Sequence, residues 1–483
     1  MILGDANMAG GATLDELFRR AGVGSPDALA LCDPPDRESF TDDRPRSLTY
    51  GEADRAISAF AARLIARGLK TDAVIALQLP NTVESVIAFM GVLRAGMIAA
   101  PLPLLWRQRD IVAALRGIGA KAIIACGRAG EEQPAKAAVL SAAELFPIRH
   151  VCAFGRDLPD GVVPMDDIFE PSADLVHAAV RPGVAAAHVA VVTFDVTAAG
   201  ITPVARNAAQ LLAGGLAVLT EAGMTNGATI LSTIPPASFA GIALSIVPWL
   251  LAGGTLGLHH GCDPKTLDAQ SETLSDATLI LPGAALAPLA EAGRLLPFRN
   301  IVALWRAPER LAACAPWFQA AALIDVAAFG EIGLFAAKRA PNGKPGRIPL
   351  GPVGAGIATA RTRMNTLALR GPMVPAHAFP SGAALTPDGF IDTGFACTLD
   401  AGHLTITGAP AGISSVGGYR FAQAAVEAMI AEVDPAATLL AVPDALLGQR
   451  LAAHGADPQA LAAALQAIGA NPLIADAFHR RAA

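Results

Sequence analysis

The chain has 483 residues, of which 53% are hydrophobic and 16% charged. At about 100–200 residues per domain that length asks for two to four domains, and the composition excludes an intrinsically disordered polymer, which needs low hydrophobicity and high charge. Lys plus Arg number 36 against 42 Asp plus Glu, a net charge of −6, so there is no global basic footprint for nucleic acid.

The opening MILGDANMAGG carries Asp5 and no basic segment ahead of an apolar one, so no secretory signal peptide is expected. A polar loop at 42–46 leads through Leu48-Thr49-Tyr50 into a helical pattern over 52–68, with Ile57, Phe60, Leu64 and Ile65 at helical spacing. Residues 73–79 (AVIALQL) form a short apolar run and predict a strand. Pro80-Asn81 open a helix to about Arg94, which Ala95-Gly96 end. A strand at 97–101, a helix near 111–117 and a strand at 122–125 follow. This β-α-β rhythm predicts a mostly parallel sheet covered by helices.

The rhythm resumes after His177, with strands expected at 189–194, 229–233, 255–258, 277–281, 301–304 and 323–326. Residues 239–258 carry no charge for 20 residues, long enough to span a bilayer. Pro248 and Gly253-Gly254 break the run, so a core helix, a Gly turn and a buried strand are expected there. From Pro341 to about Thr407 glycine, proline and short alternating runs predict a small antiparallel β unit. A Gly-rich stretch from Gly408 leads to helix, strand and helix. The fold class expected is α/β. A large N-terminal domain (1–407) comprises two α/β subdomains (about 1–180 and 181–340) and a small β subdomain (341–407). A small, truncated α+β C-terminal domain (408–483) follows.

Six cysteines, Cys32, Cys126, Cys152, Cys262, Cys314 and Cys397, stand singly, without a CxxC pair or zinc spacing. They read as small buried apolar residues in a reducing compartment, and the expected location is cytoplasmic.

Leu48-Thr49-Tyr50, Leu79-Pro80-Asn81 and Phe89-Met90-Gly91-Val92-Leu93-Arg94-Ala95-Gly96, closed by Pro101-Leu102, resemble the N-terminal pattern of adenylate-forming (AMP-binding) enzymes of the acyl/aryl-CoA synthetase type. The likeness continues in order through Leu251-Ala252-Gly253-Gly254-Thr255, Pro372 in LALRGPMV, Asp388-Gly389-Phe390 with Thr393-Gly394, Val416-Gly417-Gly418-Tyr419-Arg420, Glu427 in AAVEAMI, and Val442-Pro443-Asp444 with Gly448-Gln449-Arg450. The resemblance implies a large domain and a small mobile one. It also implies activation of a carboxylic acid by ATP and magnesium to an acyl-adenylate, then transfer of the acyl group to a thiol, commonly coenzyme A.

The motifs that would carry this chemistry depart from the family's pattern. Its phosphate loop supplies hydroxyls, open backbone N–H groups and a lysine. The matching stretch, 193–204, keeps Thr193, Thr197 and Gly200 as candidate nucleotide contacts. Val204 stands in place of the lysine, and Phe194 and Asp195 replace small residues. Arg206 is the candidate substitute cation. The preferred reading is an ordinary strand-to-helix loop, because a carboxylate facing a triphosphate is costly unless a metal intervenes. In Phe329-Gly330-Glu331-Ile332-Gly333, Phe329 and Gly330 keep the form of an aromatic nucleotide pocket. Ile332 lacks a hydroxyl and Gly333 the magnesium carboxylate, leaving Glu331 as the candidate replacement, two positions early.

Phe395 replaces the ribose-binding aspartate, with Asp392 a candidate only in a slipped register. Trp305 and Arg306, in the adenine-lining segment, are expected to fill the nucleotide pocket from inside. The hinge, 408–412, carries no charge and contains Pro410, which stiffens it. Only six of the basic residues are lysine, and none follows Lys344. Arg480 and Arg481 are read as helix-end charges. The acid pocket is expected around Ser238, Phe239 and Gly241, in a stretch that lacks the family's histidine; His259 and His260 are read as surface residues.

These departures imply a diverged acyl/aryl-CoA ligase-like protein, impaired in or lacking ATP-dependent adenylation and acting as a ligand-binding or partner protein. The alternative is an active ATP-dependent carboxylic acid–CoA ligase using Arg206, Asp195 and Glu331 as substituted groups. ATP with magnesium and coenzyme A are the cofactors implied if the chain is active. A small carboxylic acid or acyl ligand and a protein partner are expected, with no nucleic acid, no membrane span and no metal site.

Overall fold

The computed structural model describes residues 11–170, 184–261, 263–341, 343–354, 356–455 and 457–478. The expectations for the first ten residues, Cys262, Arg480 and Arg481 lie outside these.

The first sheet has seven strands, in spatial order Val163–Pro164, His150–Phe154, Ala122–Cys126, Val74–Leu77, Ile98–Pro101, Val189–Thr197 and Gly200–Asn207. All neighbours are parallel except the last pair. The four-residue Val74–Leu77 and Ile98–Pro101 strands are buried throughout, as strands covered on both faces must be. Helix Tyr50–Ala66 begins two residues ahead of the apolar pattern, because Thr49 accepts from Glu52 N while Glu52 accepts from Thr49 N. Such a capping box satisfies backbone donors that would otherwise lack partners.

The second sheet has eight strands: Gly333–Lys338, Ala322–Phe329, Asn300–Trp305, Thr278–Pro282, Ile230–Ser232, Leu256–Leu258, Leu29–Cys32 and Ser47–Thr49. Its centre is parallel and both its end pairs are antiparallel. The two sheets exchange strands across residue 180. Leu29–Cys32 and Ser47–Thr49 lie in the second sheet, while 189–207 completes the first.

The uncharged 239–258 run is not one helix. It comprises Phe239–Gly241, a π turn over Ile242–Ile246 and Val247–Ala252, then Gly253 in the left-handed region (φ 63°) and the strand Leu256–Leu258. Gly214 and Gly215 of helix Ala208–Ala222 let it approach closely: a Cβ at Gly215 would collide with Val247. No helix among the described residues is long and apolar enough to cross a membrane. Cys32, Cys126, Cys152 and Cys397 are buried and free.

Residues 348–408 form a six-stranded antiparallel sheet. The tail then adds a hairpin (Ile413–Val416, Tyr419–Ala422), helix Gln423–Val433, a second hairpin (Thr438–Asp444, Gly448–His454) and helix Pro458–Ala467 around Phe421, Ile430, Leu451, Leu465 and Phe478. The single tail strand expected from sequence is a hairpin, because Asp444 accepts from Leu446 N and Leu447 N and folds the chain back.

Candidate functional site

The stretch expected as a strand-to-helix loop is a β-hairpin. Val189–Thr197 and Gly200–Asn207 pair along their lengths, with Thr197 opposite Gly200, and helix Ala208–Ala222 starts only afterwards. β-Branched Val191, Val192, Thr193, Val196, Thr197, Ile201 and Val204 suit the pleat, and Gly200 turns the chain at φ 109°. The candidate hydroxyls serve the hairpin itself. Thr193 Oγ1 donates to Val204 O (3.4 Å) and Thr197 Oγ1 to Gly200 O (3.1 Å). Neither Thr197 nor Gly200 reaches the cavity described below.

Pleat alternation puts Phe194 and Val196 on one face of the strand and Asp195 on the other, and Asp195 meets a cation from the tail. Arg420 Nη1 donates to Asp195 Oδ1 at 2.9 Å, the two side chains being 11% and 10% exposed. The Arg420 guanidinium lies 4.9 Å over the Phe395 ring, which packs edge-on against Phe329 at 5.6 Å. Phe395 and Phe329 thus fill space behind the ion pair. Gly330, at φ 59°, is required here: a Cβ would collide with Asp195 Oδ2 and crowd Arg420.

Glu331 is buried and accepts from Phe239 N at 2.7 Å. Burial pushes its carboxyl above the ordinary value, with Arg206 opposing. Arg206 does not act as a cation for the hairpin turn. It is 1% exposed, lies 3.9 Å over the Phe239 ring, and donates to the carbonyls of Met373 (3.2 Å), Ile332 (3.1 Å) and Glu331. Burial pulls it down to about 10. Its role is to brace three segments, and its Nη1 has no partner.

Trp305 and Arg306 part company: Trp305 is the last residue of the strand Asn300–Trp305, and Arg306 lies in the bend that follows. Trp305 turns away from the cavity expected for it. Its Nε1 donates to Asp325 Oδ1 (2.8 Å), and its indole packs on Gly283 in the neighbouring apolar cluster. Arg306 does reach the cavity, donating to Ser238 Oγ at 2.7 Å. Burial pulls its guanidinium below the ordinary value, Glu331 opposing and Arg420 adding to the effect. Ser238 also caps the turn by accepting from Gly241 N (3.1 Å), while Phe239 is fully buried and Gly241 sits against Pro235 O. Asp392 is exposed, accepts from Thr366 Oγ1 and Gly394 N, and lies outside the cavity. His259, read as a surface residue, is buried and bonded to Gln270 Oε1 at 2.7 Å.

The structure therefore brings Asp195, Ser238, Arg306, Glu331, Tyr419 and Arg420 around one cavity of about 80 Å³. Arg420 and Tyr419 were not site candidates from sequence. The signal was present in Asp195, a carboxylate within a buried strand that demands a counter-ion. The tail roofs the cavity: Gly418, at φ 86°, presses on Arg306, and Tyr419 OH accepts from Asn471 Nδ2 (2.9 Å), which also donates to Leu105 O (2.9 Å). Arg109 forks onto Glu432 at 2.7 and 2.9 Å. A second, mostly apolar cavity of about 330 Å³ lies between Pro308, Leu311, Ala327, Ile348, Leu404 and Ile406, with Lys344 and Arg347 among its lining residues. Among the described residues no group of three or more His, Cys, Asp or Glu is placed to hold a metal ion.

A family model described as AMP-binding enzyme matches residues 18–277. Medium-chain fatty-acid–CoA ligase from Escherichia coli (strain K12) is 32% identical over 91 residues, covering 19% of this chain and 16% of that protein. Oxalate–CoA ligase from Arabidopsis thaliana is 30% identical over 148 residues, covering 30% and 28%. The chain thus aligns with less than a third of the length of either relative. Among solved structures, amide bond synthetase McbA from Marinactinospora thermotolerans superposes with a TM-score of 0.72 at 21% identity, over 95% of this chain and 94% of that one. An o-succinylbenzoate CoA synthetase from Bacillus subtilis gives 0.68 at 15% identity, over 90% and 87%. At these identities the likeness speaks to the fold.

Proposed function

The chain belongs to the AMP-binding enzyme family, and on that footing we propose that it is a diverged acyl/aryl-CoA ligase-like member, impaired in or lacking conventional ATP-dependent acid adenylation, that serves as a ligand-binding or partner protein. The observation that carries this reading is the Asp195–Arg420 ion pair. A triphosphate beside Asp195 would meet a like charge with little water to screen it, and the cation nearest that carboxylate is already engaged. The groups that would offset the charge do not supply it: Val204 stands where a lysine is expected, Gly333 carries no carboxylate for magnesium, and Arg206 is engaged by the carbonyls of Met373 and Ile332. The cavity of about 80 Å³ also falls short of the roughly 300–1,000 Å³ typical of enclosed ligand sites. Magnesium ATP does not fit these residues in this arrangement. Glycines that the backbone needs, Gly253, Gly330 and Gly418, remain in place, as in a scaffold kept after its chemistry changed.

The second reading, an active carboxylic acid–CoA ligase with substituted groups, is favoured by one observation. The neighbouring apolar cavity of about 330 Å³ meets the lower end of that range. Calorimetric titration of the purified protein with ATP and magnesium separates the two. The expected result is no saturable heat at millimolar ATP. Micromolar binding, about −8 kcal/mol, with AMP formed on adding a panel of acids, would establish the second reading.

A further inference from the structure

The first sheet has two ends, and the small cavity uses only one. Pro103 and Trp106, which line that cavity, follow the carboxyl end of strand Ile98–Pro101. At the amino ends, helix-to-strand turns enter three adjacent parallel strands: 67–73 before Val74–Leu77, 116–121 before Ala122–Cys126 and 145–149 before His150–Phe154. Backbone bonds set these turns side by side. Ala73 N donates to Lys70 O (3.0 Å), Lys121 N to Val74 O (2.8 Å) and Arg149 N to Lys121 O (2.9 Å). The turns carry Arg67, Lys70, Arg116, Lys121 and Arg149 against a single acid, Asp72, in a chain whose net charge is −6. Arg67 is half-buried and the other four cations are exposed. None of the five forms an ion pair among the described residues, whereas Arg63, one helical turn ahead of Arg67, is held by Asp167. Glu144, just before the third turn, is bonded to Gln108 Nε2 at 2.6 Å.

Cations just past helix C-termini complement the helix dipole, which accounts for Arg67 and Arg116. It does not account for Phe146. That ring stands 79% exposed in the third turn, with the Arg149 guanidinium 4.2 Å over it. A single exposed apolar side chain is ordinary; an exposed aromatic set in a row of unpaired cations matches a surface that is charged outside and apolar just beneath. We propose that this edge docks on an anionic bilayer surface. Phe146 enters the boundary between headgroups and acyl chains, and Lys70, Arg116, Lys121 and Arg149 meet the lipid headgroup anions. Turns at the ends of neighbouring parallel strands present a row, which suits a plane of headgroups. A protein partner would instead seat its anchor side chains in a recess, and none of these residues lines either cavity described above. Docking of this kind does not depend on what the cleft at the opposite end binds.

The test sediments the full-length protein with vesicles of phosphatidylcholine alone and of phosphatidylcholine with about 30% phosphatidylglycerol, at about 50 and about 500 mM NaCl. Binding is expected to the anionic vesicles only, and to fall in high salt. Lys121→Glu with Arg149→Glu should lower the partition coefficient at least about tenfold, and Phe146→Ala about tenfold. Lys265→Glu changes the charge equally on an exposed helix beside the second sheet, and should leave binding unchanged. Thermal unfolding of each variant checks its fold, and if the charge-reversed variant does not fold, the wild-type vesicle comparison decides. No sedimentation with anionic vesicles at low salt overturns the docking surface, as does equal binding to both vesicle types. Loss of binding in Lys265→Glu as large as in the paired variant would make net charge, not this edge, responsible. If soluble polyglutamate strips the protein from the vesicles and Phe146→Ala binds as the wild type does, the edge takes an acidic protein and the bilayer assignment falls.

Discussion

Asp195 shows what one substituted side chain demands of its surroundings. In a strand with its side chain 10% exposed it needs a cation, and Arg420 supplies it from 225 positions away. Removing one member of a buried pair strands the other, at a cost of about 3–5 kcal/mol. Asp195→Asn should therefore lower stability in urea by an amount in that range, and Asp195→Asn with Arg420→Gln should recover part of it. Additive losses in this double-mutant cycle would mean the pair contributes nothing of its own. The uncharged Val204 and Gly333 and the aromatic Phe395 were legible in the sequence because each departs from an ordered pattern. The partner of Asp195 was not, since no spacing rule links residues so far apart. Arg306 lines the cavity and Trp305 does not. The strand ends between these two neighbours, and the sequence alone does not say which of them turns toward the cavity.

At the scale of elements, the β-α-β rhythm was readable because short apolar runs alternated with longer amphipathic ones, and most expected strands lie within a few residues of the observed ones. The 189–207 hairpin escaped because threonine, glycine and proline read as a loop when taken one at a time. Two glycines that set the local geometry differ in what surrounds them. Gly200 (φ 109°) has nothing within contact of an added Cβ, whereas at Gly330 (φ 59°) the new methyl would collide with Asp195 and crowd Arg420. Both Gly→Ala changes incur backbone strain of about 1–3 kcal/mol. Gly330→Ala should cost at least about 1 kcal/mol more, because it also forces the ion pair apart. Comparison of the two variants by thermal unfolding checks this, and equal losses would place the hairpin and tail farther apart than described.

For the whole molecule, the docking of the tail on the body is the dominant feature. Arg109 with Glu432, Asn471 with Leu105 O and Tyr419, and Arg310 with the carbonyls of Ala445 and Leu446 join the two. Asp110 lies within this contact. Burial pushes its carboxyl up to about 6, while Arg107, Arg109 and Asn471 oppose the rise. A group whose folded value exceeds its ordinary 3.8 takes up a proton on folding, so the stability it contributes is fully present below about 4 and is lost as pH rises through 6. Hydrogen exchange of residues 458–478, corrected for intrinsic rates, should be slower at pH 5 than at pH 7.5, and Asp110→Asn should abolish the difference. A pH difference that survives in Asp110→Asn would assign the effect to another group. The antiparallel sheet after residue 341 was legible from composition; the docking was not, because it depends on where two surfaces meet.

The exchange of strands between the two sheets also sets a timetable for the chain as it is made. Leu29–Cys32 leaves the ribosome well before its parallel neighbour Leu256–Leu258, which lies far downstream. At about 5–20 residues per second, the early strand waits on the order of ten seconds or more with an apolar edge unpaired. Nascent chains halted short of residue 256 should therefore engage a chaperone, and those allowed past it should release.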